Sequence, residues 1–197
     1  RRETELVARA AAQLAQRIAA QKGAVRVMDV CTGSANVALA IAIAEPRATV
    51  FASDLSEEAV ELARLNVAHA GLENRVTLRS GDLLAPFDEP EFVGTIDLLT
   101  CNPPYISSGR VDQLPAEIGG HEPRLAFDGG PLGVRILQRL IREAPRMLVP
   151  GGWLAFEVGL GQGKSVAQRM RSSGAYASVE PVEDERGETR VLIARAT

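Results

Sequence analysis

Short β-branched runs alternate with longer runs of helical period along almost the whole chain, and this alternation restricts the fold more than any other feature. Parallel strands cannot be joined by a tight turn, so each return passes through a crossover, usually a helix that covers the sheet. Residues 4–21 open the chain as a helix, with Leu6, Val7, Ala10, Leu14 and Ile18 at helical spacing and Gly23 as the stop signal beyond them. Strands are predicted at 25–30, 48–53, 75–79, 96–101, 153–158, 175–180 and 189–194. Helices are predicted at 34–44, 57–70, 133–148 and 164–173, and the third and fourth strands are joined by a loop containing Pro86 and Pro90. Residues 102–131 are dense in proline and glycine and show no period; a connection of that length in a compact domain is usually functional.

The 46% hydrophobic and 24% charged residues in a chain of 197 fit one globular α/β domain over residues 1–197 and exclude disorder, collagen and coiled coil. No uncharged apolar stretch approaches the ~18 residues of a membrane-spanning helix, and residues 1–20 lack a signal peptide's apolar segment. The expectation is a soluble, cytoplasmic monomer that does not engage membranes. A net charge of −3 lacks the basic surplus of a domain held by phosphate backbones, which disfavours nucleic acid as partner. Cys31, Cys101, His69 and His121 show no metal-type spacing, so no metal is predicted and both thiols are expected to be reduced. The chain begins at Arg1, which raises the expectation of an upstream segment.

Four segments at predicted strand ends carry chemistry. The first is Asp29-Val30-Cys31-Thr32-Gly33-Ser34-Ala35-Asn36, where a strand runs through small residues into a helix. Small residues let backbone approach a ligand, and the helix start offers unpaired N–H groups. The spacing is not the G-x-G-x-x-G of a pyrophosphate cradle, and a plain tight turn is the alternative. The second is Asp54-Leu55-Ser56, where Asp54 can accept from both hydroxyls of a ribose while Ser56 caps the next helix through Glu58 or Ala59. The third is Gly81-Asp82-Leu83, with Asp82 suited to an adenine amino group and Leu83 to its ring; a loop Asp bonding its own backbone is the alternative. The fourth and most specific is Asn102-Pro103-Pro104-Tyr105. Two prolines remove two donors and fix nearby carbonyls as acceptors. An incoming –NH₂ can give one hydrogen to the Asn102 side chain and one to the Pro103 carbonyl, with Tyr105 as a flat wall.

In this order and at these distances, the four segments resemble the class I S-adenosylmethionine-dependent methyltransferases. A narrower resemblance is to the HemK-type glutamine methyltransferases, which modify the Gly-Gly-Gln glutamine of peptide chain release factors. It is carried by Arg2-Glu3-Thr4-Glu5, by His121-Glu122-Pro123-Arg124 through Gly130, and by Glu157-Val158-Gly159-x-x-Gln162. The resemblance implies a Rossmann-like, mostly parallel seven-stranded sheet with helices on both faces and a final antiparallel strand. It implies S-adenosyl-L-methionine as cofactor, held by Cys31, Thr32, Gly33, Ser34, Ala35, Asp54, Leu55, Asp82, Leu83 and Asn102. Asn102, Pro103, Pro104, Tyr105 and Glu122 would receive the substrate, with Asn102, Pro103 and Tyr105 at the reacting amide and a release factor as partner. The family usually has glycine where this chain has Cys31 and Ala35, so crowding or a shift of the cofactor is expected there. Its usual Asp-Gly after the Gly-Gly pair is Leu132-Gly133 here, and its upstream helical domain does not lie within this chain.

An exocyclic amino group of adenine or guanine poses the same geometric problem as an amide –NH₂, so a nucleic-acid methyltransferase is the alternative. A relative acting on a small amide or amine, or a non-catalytic cofactor-binding module, completes the set.

Overall fold

A computed structural model describes residues 2–104 and 134–197. The chain opens with α1 (Arg2–Lys22), then β1 (Val25–Val30), α2 (Asn36–Ala44), β2 (Ala48–Asp54), α3 (Glu57–His69) and β3 (Val76–Ser80). A short 3₁₀ turn (Ala85–Phe87) leads to β4 (Ile96–Cys101). After residue 134 come α4 (Arg135–Met147), β5 (Leu148–Glu157), α5 (Gly163–Ser172), β6 (Tyr176–Glu183) and β7 (Thr189–Ala196). All seven predicted strands form, in the order β3-β2-β1-β4-β5-β7-β6. The pairs β1–β2, β1–β4, β2–β3 and β4–β5 are parallel, and β7 runs antiparallel to both β5 and β6.

Successive side chains on a strand point to opposite faces, and both faces of this sheet are apolar, as a sheet covered on both sides must be. On one face Val25, Val27, Val50, Leu98 and Val191 pack against α1, α2 and α3 through Val7, Ala11, Ile41 and Ala63. On the other, Met28, Val30, Leu99 and Phe156 pack against Leu137, Leu140 and Met147 of α4 and Val166 and Met170 of α5. The Tyr176 hydroxyl donates to the Ile141 carbonyl at 2.7 Å, and its burial raises the phenol's pKa. That bond fastens α4 to the far edge of the sheet.

The β3–β4 connection is held by aromatic rings in place of a helix. Phe51, Phe87 and Phe92 meet edge to face at 4.9–5.9 Å, and the Arg26 and Arg79 guanidinium groups lie over their faces. Phe87 is wholly buried. Replacing it by alanine empties the centre of this cluster and should cost about 3–5 kcal/mol of stability, read as a lower urea midpoint. A loss below about 1 kcal/mol would mean the rings do not carry the connection.

Candidate active site

The registers of the four adjacent parallel strands determine where the four segments meet. Val30 stands level with Ser53 on one side and Cys101 on the other, and Asp54 is level with Ser80. Asp82, Asp54, the 31–35 turn and Asn102 therefore follow the carboxyl ends of neighbouring strands in one row. The row straddles β1 and β4, where the strand order reverses, which is where ligands enter open α/β sheets.

The 31–35 turn is built on left-handed backbone, with φ of +55° at Cys31, +56° at Gly33 and +68° at Ala35. It is fastened by Thr32 N–H donating to the Ser53 carbonyl at 3.0 Å and by Gly33 N–H donating to Asp54 Oδ2 at 2.8 Å. Ala35, at the N-cap of α2, has no side chain that can cap it. The Ala35 methyl is fully buried in the core with Val37 and Ala38, and Cys31 packs against Met28, Val30 and their neighbours. The two residues that replace glycine thus keep the left-handed backbone that glycine adopts without strain.

Asp29 anchors the turn from below. Only 1% exposed, its carboxylate accepts from the Thr32 hydroxyl at 2.6 Å and the Thr100 hydroxyl at 2.7 Å. Burial pushes its pKa up to about 6, against the opposing pull of the Thr32 and Thr100 hydroxyls and the Ala38 amide. Asp29 has no role in the four-segment pattern of the sequence; the signal that marks it is an acid inside the strand run Val27-Met28-Asp29-Val30.

Asp54 does more local work than its position suggested. One oxygen accepts from Gly33 N–H and the other from Ser56 N–H at 3.0 Å, while Ser56 Oγ caps α3 by accepting from Ala59 N–H at 3.1 Å. A carboxylate offers about four acceptor sites, so each oxygen retains one. Leu55 beside it is 50% exposed. Asp82, expected to be available to an adenine, is ion-paired: Arg139 of α4 donates to both of its oxygens, at 2.8 and 3.1 Å. Leu83 has φ +50° and is 4% exposed, with its side chain among Leu84 and Phe87 and its carbonyl accepting from Ser53 Oγ at 2.7 Å. The Leu83 side chain belongs to the core, and Leu55 is the exposed apolar surface near the row. Spacing does not single out Arg139 among the arginines of α4, of which Arg146 likewise pairs with Asp88 and Arg142 with Glu143.

Asn102 is half-buried, followed by buried Pro103 and half-buried Pro104. Its Nδ2 donates to Thr4 Oγ1 at 3.2 Å, and Thr4 Oγ1 donates to Glu157 Oε2 at 3.4 Å. Among the described residues nothing donates to Asn102 Oδ1. Tyr105, Glu122 and His121 lie outside the described residues. Cys31 and Cys101 are both free thiols; burial first, then the adjoining Cys31 thiol, raises the Cys101 thiol well above its ordinary range and keeps it protonated. His69 is exposed in the last turn of α3. No cluster of metal-ligating side chains occurs among the described residues.

Sheet order and this row of strand ends together define a Rossmann-like class I methyltransferase fold. Residues 5–117 match the Methyltransferase small domain family, and the chain belongs to that family. It is 41% identical over 168 residues to the release factor glutamine methyltransferase of Moorella thermoacetica, covering 85% of this chain and 58% of that protein. It is 44% identical over 137 residues to the ribosomal protein uL3 glutamine methyltransferase of Bradyrhizobium diazoefficiens, covering 70% of this chain and 41% of that one. The crystal structure of TrmN from Thermus thermophilus superposes with a TM-score of 0.61 at 25% identity, over 94% of this chain and 48% of that structure. The chain thus spans a little over half the length of the release factor methyltransferase it matches, 58%.

The cofactor of this class is S-adenosylmethionine, and the donor set suits it. Asp54 has acceptor sites for two hydroxyls, the first N–H groups of α2 ahead of Ala38 can meet a carboxylate, and exposed Leu55 offers apolar cover for a base.

Two measurements test the turn. Ala35→Gly relieves a left-handed alanine at a strain of about 1 kcal/mol while losing one buried methyl of similar worth, so stability should change little. Ala38→Gly, in the interior of α2, loses the methyl and about 1 kcal/mol of helix propensity as well. Urea unfolding should separate the two variants by about 2 kcal/mol; equal costs would contradict a strained turn. For Asp29, the folded protein binds more protons than the unfolded chain between pH about 4 and 6, so stability falls as pH rises through that window. Asp29→Asn should remove that fall, roughly 1–3 kcal/mol across the window. An unchanged slope would place the titration elsewhere.

Proposed function

We propose that this chain is the catalytic part of a protein-glutamine N-methyltransferase, with the side-chain amide of the Gly-Gly-Gln glutamine of a peptide chain release factor as its acceptor. The observation that supports this most is Asn102, set at the end of β4 ahead of two prolines with its amide nitrogen donating to Thr4 and, among the described residues, no donor on its oxygen. An acceptor oxygen at this strand end, one residue before the Pro103 carbonyl in the chain, suits a nucleophile that arrives as –NH₂. The names of the relatives from Moorella and Bradyrhizobium point to the same chemical group on two different proteins, a glutamine amide.

When bound, S-adenosylmethionine supplies a methyl group on a positively charged sulfur. The protein's part is alignment. The crevice at the strand ends would hold the acceptor nitrogen in line, and such positioning can supply about 7–11 kcal/mol of a barrier. An amide nitrogen is a weak nucleophile because its lone pair is delocalised. Two acceptors on its hydrogens, Asn102 Oδ1 and the Pro103 carbonyl, stabilise the positive charge that grows on nitrogen as it attacks. Asn102 therefore orients and stabilises. Tyr105 and Glu122 are assigned to the same pocket on the resemblance of their segments. In the cofactor part, the 31–35 turn would border the methionine portion, Asp54 the ribose, and the Asp82-Leu83 corner with Leu55 the base. Arg139 must then share Asp82 with that base or give it up. Among the described residues no helix is long and apolar enough to cross a membrane.

Incubating the chain with S-adenosylmethionine and a release factor, followed by tandem mass spectrometry, should find one methyl group on the Gly-Gly-Gln glutamine. Asn102→Ala should lower turnover by on the order of 100-fold while the affinity for S-adenosylhomocysteine changes less than about threefold. Equal loss of both would overturn the role of Asn102. Methylation of an adenine-containing oligonucleotide in the same reaction, with the release factor untouched, would replace the glutamine reading with base methylation.

A further inference from the structure

Asn102 can face its substrate with either of two ends, and the two are chemically opposite. The amide oxygen accepts hydrogen, whereas the amide nitrogen offers two. The rotation that exchanges them changes the shape of the side chain very little. A site whose chemistry depends on an acceptor therefore needs something that distinguishes the ends.

Residues from three separate segments provide it. Glu157 ends β5, is 1% exposed, and has the Arg190 guanidinium 3.9 Å from its Oε1. A carboxylate has no hydrogen to give, so the Thr4 hydroxyl must spend its single hydrogen on Glu157, which it meets at 3.4 Å. What Thr4 then presents to Asn102, at 3.2 Å, is a lone pair. Turning the Asn102 oxygen inward would set two acceptors against each other with no hydrogen between them. Its nitrogen is drawn inward and its oxygen outward.

We infer that Thr4 and Glu157 are positioning residues: a polarity relay, running from the buried carboxylate through the Thr4 hydroxyl, that fixes the acceptor end of Asn102 toward the methyl acceptor. The inference rests on the proposed methylation of an –NH₂ group and gives α1 a part in it. The first turn of α1 reaches across the carboxyl ends of β4 and β5, and Thr4 is its contribution to the site. The relay also bears on specificity, because an outward nitrogen would meet the substrate's –NH₂ donor to donor.

Three substitutions separate this role from plain packing. Thr4→Val keeps the shape and removes the hydroxyl. Thr4→Ser keeps the hydroxyl. Glu157→Gln keeps the shape but adds a donor, which frees the Thr4 hydrogen to attract the Asn102 oxygen inward. With release factor as acceptor, Thr4→Val and Glu157→Gln should lower kcat by on the order of tenfold, with S-adenosylhomocysteine affinity by calorimetry within twofold of the parent. Thr4→Ser should retain at least about a third of the parent rate. In ¹⁵N spectra of the free protein, the Asn102 side-chain NH₂ pair, assigned by its disappearance in Asn102→Ala, should move in Thr4→Val and Glu157→Gln and stay in place in Thr4→Ser. A parent-like rate in Thr4→Val overturns the relay. An equal fall in Thr4→Ser and Thr4→Val, or a parallel loss of S-adenosylhomocysteine binding, assigns Thr4 to structure and also overturns it. If the unsubstituted chain methylates no acceptor offered, the proposed function fails, and the NH₂ pair alone then decides the relay: movement in both disruptive variants upholds it, and no movement overturns it.

Discussion

The buried carboxylate of Asp29 is the interaction on which the site depends, because it joins two elements that the sheet alone would leave independent. Parallel pairing sets β1 beside β4, but it does not fix the loops that leave them. Asp29 takes one hydroxyl from the turn that follows β1 and one from the end of β4, through Thr32 and Thr100. The small-residue turn and Asn102 are thereby referred to a single buried point. Burying a charge there is costly, which its raised pKa reflects, and the two hydroxyls offset part of that cost. A neutral apolar residue in its place would pack more easily and leave both Thr hydroxyls to find other partners.

Asp54 repeats the pattern one strand away. It holds Gly33 N–H across the strand boundary and Ser56 N–H ahead of α3, so that one side chain draws the ends of β1 and β2 together. Asp82 does so through an ion pair, linking the end of β3 to α4 on the opposite side of the crevice. Three acids in the row thus brace loops against strands or helices. The consequence is a crevice whose walls are set before a ligand arrives, which lowers the ordering cost of binding. The exception is Asp82, where Arg139 competes for the acceptor positions that a base would use.

The strands were legible because their apolar runs are short and separated by turn signals, and the central ones are buried on both faces. Val25–Val30 and Ile96–Cys101 were read to the residue. Helix ends slipped by a residue or two: α2 begins at Asn36 because Ala35, not Ser34, stands at its start with left-handed backbone. Strand β5 begins at Leu148 where Trp153 was expected, since Pro150, Gly151 and Gly152 interrupt the apolar pattern without ending the strand. The candidate residues at strand ends were found because ligand-facing positions in such sheets follow from topology. The roles of their partners were not. Thr4 and Glu157 belong to segments that carry the resemblance, yet nothing in the sequence joins them to Asn102, and neither periodicity nor spacing encodes which arginine of a basic helix meets which acid. The burial of Leu83 was not legible for a related reason: it depends on the rings of Phe87 and Phe92, which only the folded loop brings close.

Distance in sequence also explains why the first turn of α1 matters to a site formed mainly by loops after the strands. Loops positioned only by their own strands are fixed along the sheet, yet the rotation of a terminal amide about its last bond is left open. Correcting that freedom takes a partner that holds the Thr4 hydroxyl to one hydrogen-bond direction. A buried carboxylate is such a partner, because it accepts in every orientation. Glu157 at the end of β5 is the nearest strand end beyond Asn102, and α1 supplies the hydroxyl that carries its polarity across the gap. The orientation of one amide is in this way set by two residues, 98 and 153 positions apart in their hydrogen-bonded pairs, that never touch the reacting group.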